Sequence, residues 1–214
     1  MESHERAIAN LRDPLAPAGA AAHHGGMDEM NTLTGKLLIA MPDMADPRFA
    51  GTVIYICNHS CEGTMGLIVN RPRPEIAFQK LLEQMSISCG SGCQSVGVHI
   101  GGPVERGRGF VLHTLDYTAG DSTLQVSDDI GMTATQDVLE ALAAGTGPAT
   151  SLLALGYTGW GPGQLEKELA DNGWLTGPAN QAIVFGNDHT GKWVAALALM
   201  GVSPLALSMS GGRA

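Results

Sequence analysis

Cys57 and His59 are the residues in this chain best placed to do covalent chemistry. On a strand, positions i and i+2 project to one face, about 6.6 Å apart along the backbone. A strand end or turn would close that gap. A neighbouring imidazolium would then lower the thiol pKa and make a nucleophile. That reading predicts alkylation of Cys57 ahead of Cys89 and Cys93. The plainer reading makes Cys57 a small apolar core residue, with His59 hydrogen-bonded in a hairpin turn. It carries more weight, because the sequence shows neither a third orienting residue nor an oxyanion site.

Other polar residues point to ligand binding. Asn70 and Arg71 end an apolar run, and the planar Arg71 fork suits a carboxylate or phosphate. Solvation, or a salt bridge to Glu75, is its plainer role. Gly101 and Gly102 open a glycine-rich stretch carrying Arg106 and Arg108, read as a flexible loop able to hold an anion. Its plainer reading is a β-connection whose glycines serve turn geometry. His113 sits in an apolar run and is expected to be a satisfied core histidine. Cys57, His59, Cys61 and either His99 or His113 do not form a usual zinc spacing, so no metal is expected. Cys89-Gly-Ser-Gly-Cys93 is spaced too widely for a redox or zinc-knuckle pair, and a labile disulfide there stays open.

Trp160 lies in Gly156-Tyr157-Thr158-Gly159-Trp160-Gly161-Pro162-Gly163. The run follows the apolar Ser151–Leu155 and precedes Leu165 and Leu169, four apart on one helix face. It reads as strand, glycine-rich turn and helix, with Pro162 at the first helical position and Gly173 as the stop. A P-loop would need Lys-Ser/Thr after its second glycine, and a dinucleotide fingerprint would need glycine at Gln164. No cofactor is therefore expected. Trp160 is expected to be largely buried, anchoring the helix on the sheet.

These residues must be positioned by elements, which the hydrophobic patterning supplies. Strands are predicted over Lys36–Met41, Thr52–Cys57, Met65–Asn70, Val96–Ile100, Gly109–Thr114, Leu124–Val126 and Gln181–Phe185. The second and third make a hairpin across a turn at Asn58–Gly63. Phe78, Leu81, Leu82 and Met85 recur with helical period. A second helix runs from a Thr133 or Thr135 cap to about Ala144, with Gly145 ending it. A third presents Trp193, Leu197 and Met200. The tail from Ser203 is small and polar. Early hairpins and few helices argue for an α+β protein with a mixed or antiparallel sheet. Residues 1–30 lack any period and are expected to be a disordered tail, leaving one domain over 31–214.

The chain has 214 residues, a formal net charge of −9 and only 12 Lys and Arg. That balance opposes direct nucleic-acid binding, which needs a basic face. No apolar run would span a bilayer, and no secretory signal is visible, so a cytoplasmic protein with reduced thiols is expected.

Leu38–Pro42, Tyr55–His59, Gly66–Pro72, Gly101–Val104, Arg108–His113, Gly156–Trp160, Gly163–Glu166 and Asn172–Leu175 resemble, in order, the signature segments of the YqgE/AlgH family. The resemblance runs from about Leu33 to the C-terminus. It implies a compact bacterial α+β protein with a bifurcated sheet, a small barrel-like portion and surrounding helices. It implies no activity; members carry labels of uncharacterised protein or transcriptional regulator. The tail of residues 1–30 lies outside the family pattern, and Arg213 stands where the family usually has histidine. Without a complete catalytic constellation, the expectation is a non-enzymatic regulatory protein. It would bind a small ligand or protein partner where Arg71, Gly101, Gly102 and Trp160 converge. A thiol-dependent enzyme or redox-responsive protein is the alternative.

Overall fold

A computed structural model describes residues 32–210, with side chains described to residue 207. The tail expected over 1–30 lies outside the described residues. The described residues form nine strands and six α-helices. The strands are β1 (Leu37–Ala40), β2 (Val53–Ser60), β3 (Gly63–Ile68), β4 (Gly97–Ile100), β5 (Val104–Thr114), β6 (Thr123–Gln125), β7 (Ile130–Thr133), β8 (Ser151–Trp160) and β9 (Trp174–Gly177). The helices are α1 (Phe78–Gln84), α2 (Gln136–Ala144), α3 (Gln164–Ala170), α4 (Gln181–Phe185), α5 (Lys192–Leu199) and α6 (Pro204–Ser210).

The sheet runs β6-β7-β5-β8-β3-β2-β1-β9, with β4 pairing β8 off this path. All pairings are antiparallel except β4 with β8. The first half of β8 lies between β5 and β4; its last three residues pair with β3. The sheet forks there and curls into a half-barrel, the α+β architecture expected of the sequence.

Continuous apolar runs in β1 and β2 follow from burial on both sheet faces. Leu37, Ile39, Val53, Tyr55 and Cys57 join one core with α4 and α5, whereas Leu38, Ala40, Ile54 and Ile56 join Trp160 and Trp174 in another. A third core packs α1 and α2 on Val98, Val111 and Leu153.

Several expectations need correction. Gly156–Trp160 is not a turn but the second half of β8. Helix α3 starts after Gly163, which takes φ +71°, so Pro162 lies before the helix. The left-handed residue after α3 is Asn172, not Gly173. The hairpin turn predicted at 58–63 is tighter, because β2 continues to Ser60. The stretch 104–109 is strand rather than flexible loop, with a register shift between Val104 and Gly109. Gln181–Phe185 is helix, because the Asn180 side chain accepts from Ile183 N and starts a turn. β7 and β9 are additional strands, and the tail after Ser203 begins a helix. Thr135 holds the cap position of α2 but makes no side-chain cap bond; Gly145 ends the helix at φ +78° as expected.

Candidate functional site

Between β9, the end of β8, α3 and the β1–β2 connection lies a cleft of about 1110 Å³. Trp160 and Trp174 meet edge-to-face at 5.9 Å, and Phe49 meets Trp174 likewise at 5.6 Å. Met41, Met44, Val104 and Leu207 add to the apolar lining.

One carboxylate fixes the indole pair. Glu168 Oε2 accepts from Trp160 Nε1 at 2.9 Å and from Trp174 Nε1 at 2.8 Å. Its Oε1 accepts from Gln164 Nε2 at 2.9 Å, and Gln164 in turn accepts from Gly161 N. With both N–H groups engaged inside the protein, the little that these buried indoles leave open at the cleft is carbon surface. Asp43 and Asp171 are exposed at the cleft. Asp46 is tied to Arg48 at 2.6 Å, and that hydrogen bond lowers its pKa.

Among the expected binding residues, Trp160 alone lines the cleft, and it is buried. Asn70 Oδ1 accepts from Val53 N, its Nδ2 donates to Gly51 O, and Arg71 Nη2 donates to Ala50 O. Both side chains thus brace the turn immediately after Phe49. Gly101 and Gly102 press against β8: a Cβ on either would come within 2.1 Å of the backbone of Gly156 or Tyr157. They do not line the cleft, although the following Pro103 and Val104 do. Arg108 pairs with Glu105 at 3.2 Å and lies over the Phe110 ring, outside the cleft. The four residues expected to converge therefore do not form one binding surface. Asn70, Arg71, Gly101 and Gly102 hold elements that carry cleft residues.

Cys57 and His59 do not come together. The β2–β3 register slips between Ile56 and Asn58, leaving Cys57 as the extra residue of a β-bulge. A one-residue insertion reverses the alternation beyond it. His59 therefore faces Thr64 and Glu166, with Nδ1 2.8 Å from Thr64 Oγ1 and Nε2 3.5 Å from Glu166 Oε1. Cys57 faces the opposite core, and burial pushes its thiol pKa far up.

His113 is fully buried with both ring nitrogens engaged, by Thr114 O and Thr133 Oγ1. Cys89 and Cys93 are joined as a disulfide, the pairing the sequence left open beside the general expectation of reduced thiols. Among the described residues no group of three or more His, Cys, Asp or Glu could hold a metal ion. No helix there is long and apolar enough to cross a membrane.

A polar cluster unforeseen in the sequence lies beneath α5. Lys192 is buried and donates to Val69 O and Val184 O, both at 2.8 Å, and desolvation lowers its pKa to about 8. Buried His99 lies 3.4 Å from His189, and desolvation lowers the His99 pKa to about 4.

Glu168, Trp174 and Phe49 are the cleft residues that sequence reasoning missed. The Gln164–Glu168 spacing of four was a usable signal; nothing local linked Trp174 to Trp160.

Residues 37–205 match the protein-family model described as AlgH-like. A UPF0301 protein of Cereibacter sphaeroides is 53% identical over 182 residues, covering 85% of this chain and 99% of the relative. One from Paracoccus denitrificans is 51% identical over 190 residues, covering 88% and 100%. The solution structure of AlgH from Pseudomonas aeruginosa is similar at 44% identity and a TM-score of 0.71, covering 89% of this chain and 98% of that one. A Corynebacterium diphtheriae protein at 21% identity shares the fold, with a TM-score of 0.66 over 86% and 93% of the two chains. Motifs, sheet topology and relatives agree: the chain belongs to the YqgE/AlgH family of AlgH-like proteins.

Proposed function

We propose that this is a non-enzymatic, cytoplasmic binding protein with a regulatory role, and that its cleft takes an apolar segment of a protein partner flanked by Lys or Arg. The observation that carries the reading is the Trp160–Glu168–Trp174 arrangement. It holds two indoles rigidly in the cleft wall, satisfies their donors internally and leaves only a small part of each open, 6% of Trp160 and 3% of Trp174. Methionines beside them adapt to differing apolar side chains. Around this floor stand Asp43, Asp46, Glu168 and Asp171 against the single cation Arg48. Aromatic faces beside carboxylates favour cationic ligands. The same charge balance, like the net −9 of the chain, opposes direct contact with nucleic acid. Regulation would then act through another protein. No Ser, Cys or His stands among the described lining residues, and Glu168 is occupied by three hydrogen bonds. Both points favour binding over catalysis, and the burial of Cys57 weighs against the thiol alternative.

The test is a tryptophan-fluorescence titration with two synthetic peptides, one alternating Leu and Lys and one alternating Leu and Glu. The Leu-Lys peptide should bind saturably, weaken with added salt, and lose about tenfold or more in affinity to Val104→Lys, which removes apolar contact and adds a repelling cation. Equal binding of both peptides, or indifference to Val104→Lys, would refute the reading.

A further inference from the structure

We propose that Cys89 and Cys93 form a reversible redox modification site for low-molecular-weight disulfides such as glutathione disulfide. Its state sets how firmly the connection between α1 and β4 is fastened to the carbonyl end of α2. The site is independent of the cleft. It is built from a Cys-Gly-Ser-Gly-Cys loop whose Cα atoms stand 5.3 Å apart at the two cysteines, within the ordinary disulfide range. Cys89 is exposed and Cys93 half-buried against the α1–α2 core. One sulfur is thus open to a small reagent, and the other is placed to resolve the adduct.

The loop does a specific job. A helix leaves its last carbonyls without partners inside the helix. Here the loop supplies two of them: Gly90 N donates to Ala143 O, and Gln94 N donates to Leu142 O, both at 3.1 Å. Each donor directly follows one of the bridged cysteines. Left-handed Gly145 sits so close that a Cβ there would stand 2.6 Å from Gly92 O. The bridge therefore closes the segment that caps the helix, and its opening frees that segment. The carbonyl end of a helix is a poor neighbour for a thiolate. Neutral disulfide is favoured there over the thiolate that reduction must expel, which slows loss of the bridge. A loop this short removes little entropy from the unfolded chain, so the bond also lacks the large stabilisation of a long-range bridge.

The chemistry balances as thiol–disulfide exchange. The Cys89 thiolate attacks glutathione disulfide, forming a Cys89–glutathione mixed disulfide and releasing one glutathione. The Cys93 thiolate then attacks the Cys89 sulfur and releases the second. Two thiols are oxidised, one disulfide is reduced, and two protons pass to the glutathione thiolates.

The experiment uses the full chain with Cys61→Ser, equilibrated in glutathione buffers of rising disulfide content and alkylated before peptide mass spectrometry. The peptide holding Cys89 and Cys93 should pass from doubly alkylated to bridged, with loss of two hydrogens. Hydrogen exchange at the Gly90 and Gln94 amides should slow by about tenfold on oxidation. A Cys89→Ser, Cys93→Ser double variant should exchange at the reduced rate in every buffer. A peptide that stays dithiol in pure glutathione disulfide, one that keeps glutathione on Cys89, or oxidation without change at Gly90 and Gln94 would each overturn the proposal.

Discussion

Glu168 shows how much can hang on one side chain. Its carboxylate joins the end of β8 to the start of β9 by taking an indole N–H from each. Trp160 is only 6% exposed, so truncation to alanine removes a large buried side chain as well as one of these bonds. Trp160→Ala should cost about 3–5 kcal/mol in a urea or guanidinium unfolding curve. Glu168→Ala leaves two partly buried donors without their acceptor, and about 1–3 kcal/mol for each such group is the usual scale. An unchanged midpoint for Trp160→Ala would show the indole to be dispensable for folding. The burial of Trp160 was legible in the sequence, since flanking glycines could not cover it. Its partner was not: an acceptor eight residues away becomes visible only once α3 has turned back across the strand. Cys57 and His59 misled for a related reason, because the reading assumed strict alternation and the bulge cancels it.

At the scale of elements, the strongly patterned segments were readable and the glycine-rich ones were not. β1, β2, β3, α1 and α2 announce themselves by period and burial. β8 was cut short because Gly156, at φ +72°, looks like a turn residue. It is instead the point where the strand passes from β5 and β4 to β3. α4 read as a strand because Ile183, Val184 and Phe185 are β-prone, and the Asn180 cap overrode that preference. Gly101 and Gly102 were rightly singled out, but for close backbone approach rather than for a ligand. A Cβ at Gly102 would meet the Tyr157 carbonyl carbon at 2.1 Å, which only a backbone shift relieves. Gly102→Ala should destabilise by about 1–3 kcal/mol or more, as overpacking does. It should also loosen amide protection along β8 in hydrogen exchange. Wild-type protection there would show that the strands yield without cost.

For the whole molecule, three imidazoles set a common acid response. Burial lowers the pKa of His99, His113 and His189 below the ordinary 6.5, that of His99 to about 4. The folded chain keeps them neutral while the unfolded chain binds protons. Stability should therefore fall as pH drops through the window from about 6.5 to about 4, below which the histidine contribution is spent. Asp46 and Asp116, whose pKa values are lowered from 3.8, act beneath that window. Unfolding midpoints of wild type and His99→Gln across pH 7 to 4.5 should converge as acid is added. Parallel lines would remove His99 from the account.

The forked pairing of β8 has a consequence in time. β3 is flanked by β2 on one side and waits for β8 on the other. The bond from Thr158 to Gly66 O spans 92 residues of sequence. At about 5–20 residues per second of synthesis, the open edge of β3 stays unpaired on the ribosome for about 5–20 s. During that interval the nascent hairpin offers its apolar edge to any other chain. Only when Trp160 has emerged and α3 has folded does the molecule close the seam on which its cleft is built.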